Sequence, residues 1–348
     1  MRLAERIQKA WHDQAKWLIV LRPLSWLYRA VFLWQKNSKS KNAYRAPVAV
    51  MIIGNITVGG SGKTPLIIAL VEYLQSKNIK VGVISRGYGG KGGGGKGVDG
   101  KGEFPLLVTL DSTPEQVGDE PTLIVQRTHV PMAVGPNRQH AIELLLQHHH
   151  VDLILSDDGL QHFALARDLE WVVVDANRGF GNEKLLPEGY LREPLSRLDD
   201  VTVIEHSAHP KTDLHMHLEP STPYNLVDHS QPFNASLHYD AVVGIGFPLR
   251  FFKTLDDLNI SYQKHAFADH HAYQASDFST IHSQAIITTE KDAVKLKQLW
   301  HNDPEMLARV WVVPVQAVLS ENVYQLFNDQ LLGLNPNFKI NLSHRPNS

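Results

Sequence analysis

The sequence predicts an α/β protein with a doubly wound, mostly parallel sheet built around a phosphate-binding loop. A second, smaller α/β domain follows it, and an amphipathic helical segment precedes it. Three observations carry this. The apolar run 47–53 passes directly into GNITVGGSGKTP, residues 54–65, and then into the helical pattern 66–75. Strand-like and helix-like stretches then alternate as far as residue 205. A second alternating series begins near residue 241, after a stretch broken by prolines and polar residues.

Composition sets the outer limits. The 348 residues suffice for two α/β domains with their own cores. There is no cysteine, which excludes disulfides, thiolate metal sites and a cysteine nucleophile, and fits a reducing compartment. A formal charge of -2 supplies no global field for nucleic acid, so no nucleic-acid partner is expected and any charge-driven partner must meet a local patch.

That patch is N-terminal. Arg2, Arg6, Lys9, Lys16, Arg22, Arg29, Lys36, Lys39, Lys41 and Arg45 face only Glu5 and Asp13, and Trp11, Trp17, Trp26 and Trp34 share the stretch. Trp17, Val20, Leu21, Leu24, Tyr28 and Val31 recur at helical spacing, with Arg22 and Arg29 interrupting any run of the roughly 20 apolar residues that spanning requires. Pro23 kinks or restarts the helix. The segment 1–45 therefore reads as a helix lying on a membrane, with tryptophans at headgroup level; a helix packed on the core would show the same spacing.

In the glycine loop, Gly59, Gly60, Ser61 and Gly62 let backbone N–H groups approach an anion, Lys63 can reach the terminal phosphates, and Thr64 would then ligate Mg2+. Against the strict spacing of such loops, the first glycine position is taken by Thr57. A second strand is expected at 80–85, opening into Arg86-Gly87-Tyr88-Gly89 and then a glycine-rich surface loop at 91–103. Strands at 104–110 and 131–134 and helices at 117–127 and 138–147 follow. Asp119 and Glu120 suit a helix start whatever else they do. His148, His149 and His150 read as a solvated helix end. The strand 151–156 runs into Asp157-Asp158-Gly159-Leu160-Gln161-His162, an apolar strand ending in aspartates that can hold Mg2+ opposite a phosphate loop.

A last strand of the first sheet is expected at 201–205, and 209–232 as ribbon or linker. The second series comprises strands at 241–246, 261–265, 285–289 and 310–315, with helices at 251–258 and 277–282. Asp269-His270-His271 falls in the loop after the second of these strands, where spacing alone gives a histidine beside an aspartate no special status.

GNITVGGSGKTP, SRGYGG, VGDEP, SDDGLQH, LPEGYLREP, FADHHAY and TTEKDAVK together resemble the tetraacyldisaccharide 4′-kinases, the lipid A disaccharide kinases of Gram-negative bacteria. The resemblance runs from residue 46 to about 315. It implies a P-loop domain (46–208), a β-ribbon (209–232), a smaller α/β/α domain (233–348) and a membrane-associating N-terminal helix on the cytoplasmic face of the inner membrane. It implies transfer of the γ-phosphate of ATP to the 4′-hydroxyl of a tetraacylated glucosamine disaccharide 1-phosphate. It also promotes Asp119 to catalytic base and His270 to its partner, expected to meet across the two domains. Lys63 would neutralise phosphate charge, Thr64 with Asp157 or Asp158 would hold Mg2+, and Gln161 and His162 lie beside them. Arg86 and Arg192 are candidate anion contacts, and Thr288 to Lys291 match a motif without a derivable role.

Two other classes fit parts of the pattern. A nucleotide-switched ATPase or GTPase would carry GGxGKT, although its relatives place a lysine where Val58 stands here. A kinase of a soluble metabolite would leave the basic, tryptophan-rich N-terminus without a purpose. The sequence does not fix an oligomeric state.

Overall fold

The computed structural model describes residues 7, 10–11, 13–90, 104–279, 281, 284–335 and 338. The glycine-rich stretch 91–103 lies outside the described residues. In chain order the strands are β1 (Ala49–Gly54), β2 (Val81–Ser85), β3 (Leu106–Val108), β4 (Met132–Val134), β5 (Leu153–Asp157), β6 (Leu169–Asp175), β7 (Thr202–His206), β8 (His215–Pro220), β9 (Tyr224–Asn225), β10 (His238–Val243), β11 (Ser261–Ala266), β12 (Ile286–Thr289), β13 (Val310–Val313) and β14 (Val315–Leu319). The helices are α1 (Arg22–Ser40), α2 (Lys63–Ser76), α3 (Pro114–Val117), α4 (Asp119–Thr128), α5 (Arg138–His148), α6 (Pro248–Asp257), α7 (Glu290–Leu299), α8 (Pro304–Ala308) and α9 (Glu321–Leu334).

The chain packs as two compact units, neither continuous in sequence: residues 1–84, 146–217 and 319–348 form one, and residues 85–145 and 218–318 the other. These units do not follow the boundaries 46–208 and 233–348. Side chains explain why. Helix α9 belongs with the first unit because Phe327 packs edge-on against Trp171 at 5.2 Å and Asn328 accepts a 2.8 Å hydrogen bond from Tyr73. Helix α4 belongs with α7 because Arg127 pairs with Glu290, and Lys291 with Glu120 at 3.0 Å.

In the first unit, β8-β7-β6-β1-β5-β2 lie side by side, and the pairings among them are parallel. Val50 to Ile53 of β1 and all of β5 are buried, the continuous apolar run expected of parallel strands covered on both faces. Strand β6, LEWVVVD, was not anticipated, yet it is β1's neighbour. Helix α2 lays Leu66, Ile67, Leu70, Val71 and Leu74 into the core.

The N-terminal segment of this unit restarts at Pro23, as anticipated. A 3-10 helix, Lys16–Leu21, ends there, and Pro23 sits in the first turn of α1, where its missing N–H costs no helical bond. The inward side of α1 is held largely by polar contacts. Arg22 donates to Glu188 at 2.8 Å, Ser25 donates to the Leu185 carbonyl and accepts from the Glu188 N–H, and Tyr28 donates to the Arg192 carbonyl. Leu24, Trp26, Leu27, Val31, Leu33 and Trp34 face outward, Trp26 and Trp34 each 66% exposed. Among the described residues no helix is long and apolar enough to cross a membrane.

The second unit holds a five-stranded sheet, β11-β10-β12-β13-β9, parallel except for β9. Strand alternation divides its core into two layers. Tyr239, Ala241, Val243, Ile287 and Trp311 pack with Phe251, Phe252 and Leu255 of α6 on one face, and Val242, Ile286, Val310 and Val312 pack with Ala293 and Leu296 of α7 on the other. Strands β3 and β4 pair antiparallel in the same unit. Two expected helices differ. Gly118, at φ +99°, separates the short α3 from α4, so the helix expected from residue 117 begins at Asp119. Where a helix was expected at 277–282, a 3-10 turn occupies Ala275–Phe278, and residues 280 and 282 lie outside the described residues.

Candidate active site

The phosphate loop leaves β1 at Gly54 and closes on α2, whose first residue is Lys63. Thr57 serves here without a glycine because it is buried and tied into the loop's base: Asn55 donates to its Oγ1 at 3.3 Å and to the Gly59 carbonyl at 3.1 Å. Gly62 has φ +98°, and a Cβ there would lie 2.7 Å from Nδ1 of His206 and 2.8 Å from Met216. That same Nδ1 is 2.8 Å from the Ser61 carbonyl, which can only accept, so Nδ1 carries the proton. His206 thereby holds one loop carbonyl aside while the loop amides and the start of α2 stay directed at an anion. The sequence reading passed over His206, one residue past the expected strand. Its signal was position, a polar side chain at the carboxyl end of a parallel strand.

Opposite the loop, β5 ends in Asp157, which is 1% exposed and in register with Ile53. Asp158 follows at φ +47°. Its carboxylate accepts from Arg192 at 2.8 and 3.1 Å and stands 3.5 Å from the Lys63 ammonium. Lys63 is thus largely covered, its side chain 12% exposed. Arg192 also donates to Gln161 at 3.2 Å, and Gln161 donates to the fully buried Glu193 at 2.5 Å. The segment carrying Arg192 lies along the loop through Val58 N–H to the Tyr190 carbonyl and Arg192 N–H to the Ile56 carbonyl. So Lys63, Asp158, Gln161 and Arg192 converge in the first unit, and Thr64 follows Lys63 as the second residue of α2. The Oγ of Ser61 is buried without a hydrogen-bond partner among the described residues.

Among the described residues no cluster of three or more histidines and carboxylates is arranged to hold a metal. The oxygen donors that are present, the Thr64 hydroxyl and the Asp157 carboxylate, match an ion that takes one or two protein oxygens and completes its shell with phosphate and water. His148, His149 and His150 are exposed at the end of α5.

Asp119 and His270 share the second unit, and contrary to the expectation that they meet only across two domains, they already touch. Nδ1 of His270 lies 3.1 and 3.2 Å from the two Asp119 carboxylate oxygens. Each is positioned locally. Asp119 is the first residue of α4, and His270, at φ +57°, donates its backbone N–H to the Gly244 carbonyl. The ring of Tyr88, from the SRGYGG stretch, packs edge-on to His270 at 5.0 Å. Arg86 in that stretch is exposed.

Lys291 completes this cluster. Its ammonium lies 3.0 Å from Glu120, 3.4 Å from Nε2 of His270, 3.6 Å from Asp269 and 3.9 Å from Asp119. Burial pushes the Asp119 carboxyl up, but the His270 hydrogen bond and the Lys291 charge outweigh it and hold the group below its ordinary value. Burial pushes the His270 imidazole down, yet the Asp119 bond raises it above the usual histidine value against the opposing Lys291 charge. Burial works against the Lys291 ammonium, and Glu120, Asp119 and Asp269 overcome it, raising its pKa. The arrangement is a buried carboxylate able to take a proton, hydrogen-bonded to an imidazole and flanked by a permanent cation.

A family model described as tetraacyldisaccharide-1-P 4′-kinase matches residues 17–332. The chain is 43% identical to the tetraacyldisaccharide 4′-kinase of Psychrobacter arcticus over 96% of this chain and 97% of that one. It is 42% identical to that of Pseudomonas syringae pv. tomato over 97% of this chain and the whole of the relative. Among solved structures it is similar to LpxK from Aquifex aeolicus, crystallised in complex with ATP, with a TM-score of 0.71, 25% identity, and coverage of 91% of this chain and 99% of that one.

Proposed function

The chain belongs to the tetraacyldisaccharide-1-P 4′-kinase family, an ATP-dependent lipid A kinase family, and on that premise we propose how its own residues carry out the transfer. Gly59, Gly60, Ser61 and Gly62 cradle the phosphates of ATP with backbone N–H groups, and Lys63 neutralises the charge that moves with the γ-phosphoryl group. Thr64 and Asp157 would hold Mg2+, because the neighbouring Asp158 carboxylate is already engaged by Arg192 and Lys63, and Gln161 lies beside them on Arg192. When bound, the ion would neutralise phosphate charge.

Asp119 is the base. As the 4′-oxygen of the disaccharide 1-phosphate bonds to the γ-phosphorus, the bond to ADP's bridging oxygen breaks and the hydroxyl proton passes to the Asp119 carboxylate. His270 donates to the same carboxylate and orients it. The observation that carries this assignment is the buried Asp119 carboxylate in hydrogen-bond contact with His270. The segment 1–45 seats the protein on the membrane surface that holds the lipid, at the cytoplasmic face, with the outward apolar residues of α1 in the headgroup region. Near-full-length family membership sets aside the nucleotide switch and the soluble-metabolite kinase.

The test is labelled ATP with detergent-dispersed tetraacyldisaccharide 1-phosphate, using the parent, Lys63→Ala and Asp119→Asn. Label should enter the lipid with the parent, transfer should be lost in Lys63→Ala, and kcat should fall about 10²–10⁴-fold in Asp119→Asn with little change in the KM for ATP. Near-normal kcat in Asp119→Asn would remove Asp119 as the base.

A further inference from the structure

We propose that Lys291 is a positioning residue for proton transfer: through its contacts with Nε2 of His270 and the Asp119 carboxylate it fixes which histidine nitrogen carries the proton that faces the base. The inference rests on the reading of Asp119 as that base, and goes beyond it by giving a role to a residue of the TTEKDAVK stretch.

Geometry supplies the argument. Lys291 has three N–H donors and no acceptor. When His270 is neutral, the ammonium 3.4 Å from its Nε2 favours the tautomer in which that nitrogen holds a lone pair and Nδ1 holds the proton. Nδ1–H then donates to Asp119 at 3.1 Å. With the opposite tautomer, two donors would face each other at Nε2 and two lone pairs would face each other at Asp119. The lysine therefore selects the arrangement in which His270 supports the carboxylate.

Its own position is fixed from below. Lys291 is the second residue of α7. Thr289 caps that helix by accepting from Asp292 N–H, and the fully buried Asp292 is held by Gly244 N–H at 3.0 Å, Tyr273 at 3.1 Å and Lys295 at 2.7 Å. Glu120 and Asp269 hold the ammonium from above, and the side chain is only 18% exposed. A solvent-exposed lysine would swing among rotamers; this one is confined to the point where carboxylate and imidazole meet. The charged and titratable groups facing the pair are Lys291, Glu120, Asp269, Tyr88 against the imidazole ring and, at longer range, Lys295.

The charge has a consequence for the pH dependence. A cation beside Asp119 favours its ionised form and disfavours the imidazolium of His270, so removing it moves both proton affinities up. Opposite charges at this range shift a carboxyl by about 1–3 pH units. The acid limb of the pH profile of kcat should then move up by about one unit or more in Lys291→Met, which keeps the length and apolar stem of the side chain. At pH 7, above both acid limbs, the shift itself should leave kcat nearly unchanged, so that any fall there measures the loss of the His270 arrangement that Lys291 selects, with the KM for ATP unchanged. Lys291→Arg, which retains the cation, should keep the parental acid limb.

Parent, Lys291→Met, Lys291→Arg and Asp119→Asn are compared by pH profile and melting temperature. If Lys291→Met is merely less stable, with its acid limb at the parental position, the inference is wrong while a collapsed Asp119→Asn leaves the base assignment standing. If Asp119→Asn itself turns over normally, the underlying reading fails. An upward shift in Lys291→Met that Lys291→Arg does not share is the outcome expected.

Discussion

Replacing Trp26 and Trp34 with serine tests whether the outward face of α1 is a membrane contact, and the size of the effect follows from their exposure. Each ring is 66% exposed. A tryptophan buries about 150–250 Å² when fully covered, so roughly 100–165 Å² of each is still in contact with water. At about 25 cal/mol per Å², withdrawing that area completely is worth about 2.5–4 kcal/mol per ring. A ring seated at headgroup level gains about half as much, so the two together contribute about 2.5–4 kcal/mol, or roughly 70- to 900-fold in partitioning. Because the lost area is solvent-facing, the fold should barely notice: surface substitutions stay within about 0.5 kcal/mol. The assay is co-sedimentation with vesicles containing anionic lipid, alongside thermal melting and transfer to a detergent-dispersed substrate. Binding within threefold of the parent would refute the membrane reading. A marked drop in melting temperature with unchanged binding would mean instead that α1's apolar face serves the fold.

Two further predictions bear on the site. Gly62→Ala places a Cβ against the His206 ring and Met216 at φ +98°, a backbone strain of about 1–3 kcal/mol, so ATP affinity should fall at least about tenfold with a lower melting temperature; nucleotide binding by calorimetry at the parental level would show that the loop tolerates the change and that its shape does not depend on His206. The Asp119–His270 pair also carries a pH-dependent share of stability. Asp119, lowered in the fold, contributes fully above its unfolded value of 3.8 and loses that contribution as pH falls through the folded value. His270, raised in the fold, contributes fully below 6.5 and loses it as pH rises through the folded value. Urea unfolding of Asp119→Asn should therefore show a larger loss at pH 5.5 than at pH 8.5, and equal losses at both would count against the ion pair.

Sequence alone determined the parts of this protein whose physics is local. A strand, a glycine loop and a lysine at the head of a helix are contiguous from residue 47 to 75, and backbone freedom at three glycines is enough to announce a phosphate site. Pro23 marked where the N-terminal helix restarts, and the apolar strand running into Asp157 marked the carboxylate facing the loop. What depended on distant residues stayed hidden. Nothing within the stretch Thr202–His206 says that His206 will reach the Ser61 carbonyl, because that contact spans 145 residues of chain. Asp119 and His270 were paired only by family resemblance, because helix α4 and the loop after β11 are joined by packing and not by order along the chain. Lys291 offered least of all. A lysine in the first turn of a helix usually means only a solvated surface charge, and its burial among Glu120, Asp269, Asp119 and His270 exists only once α4, α7 and the β11 loop have come together. Tertiary packing decided that cluster, because the free energy of a buried charge depends on its neighbours in space and not on its neighbours in sequence.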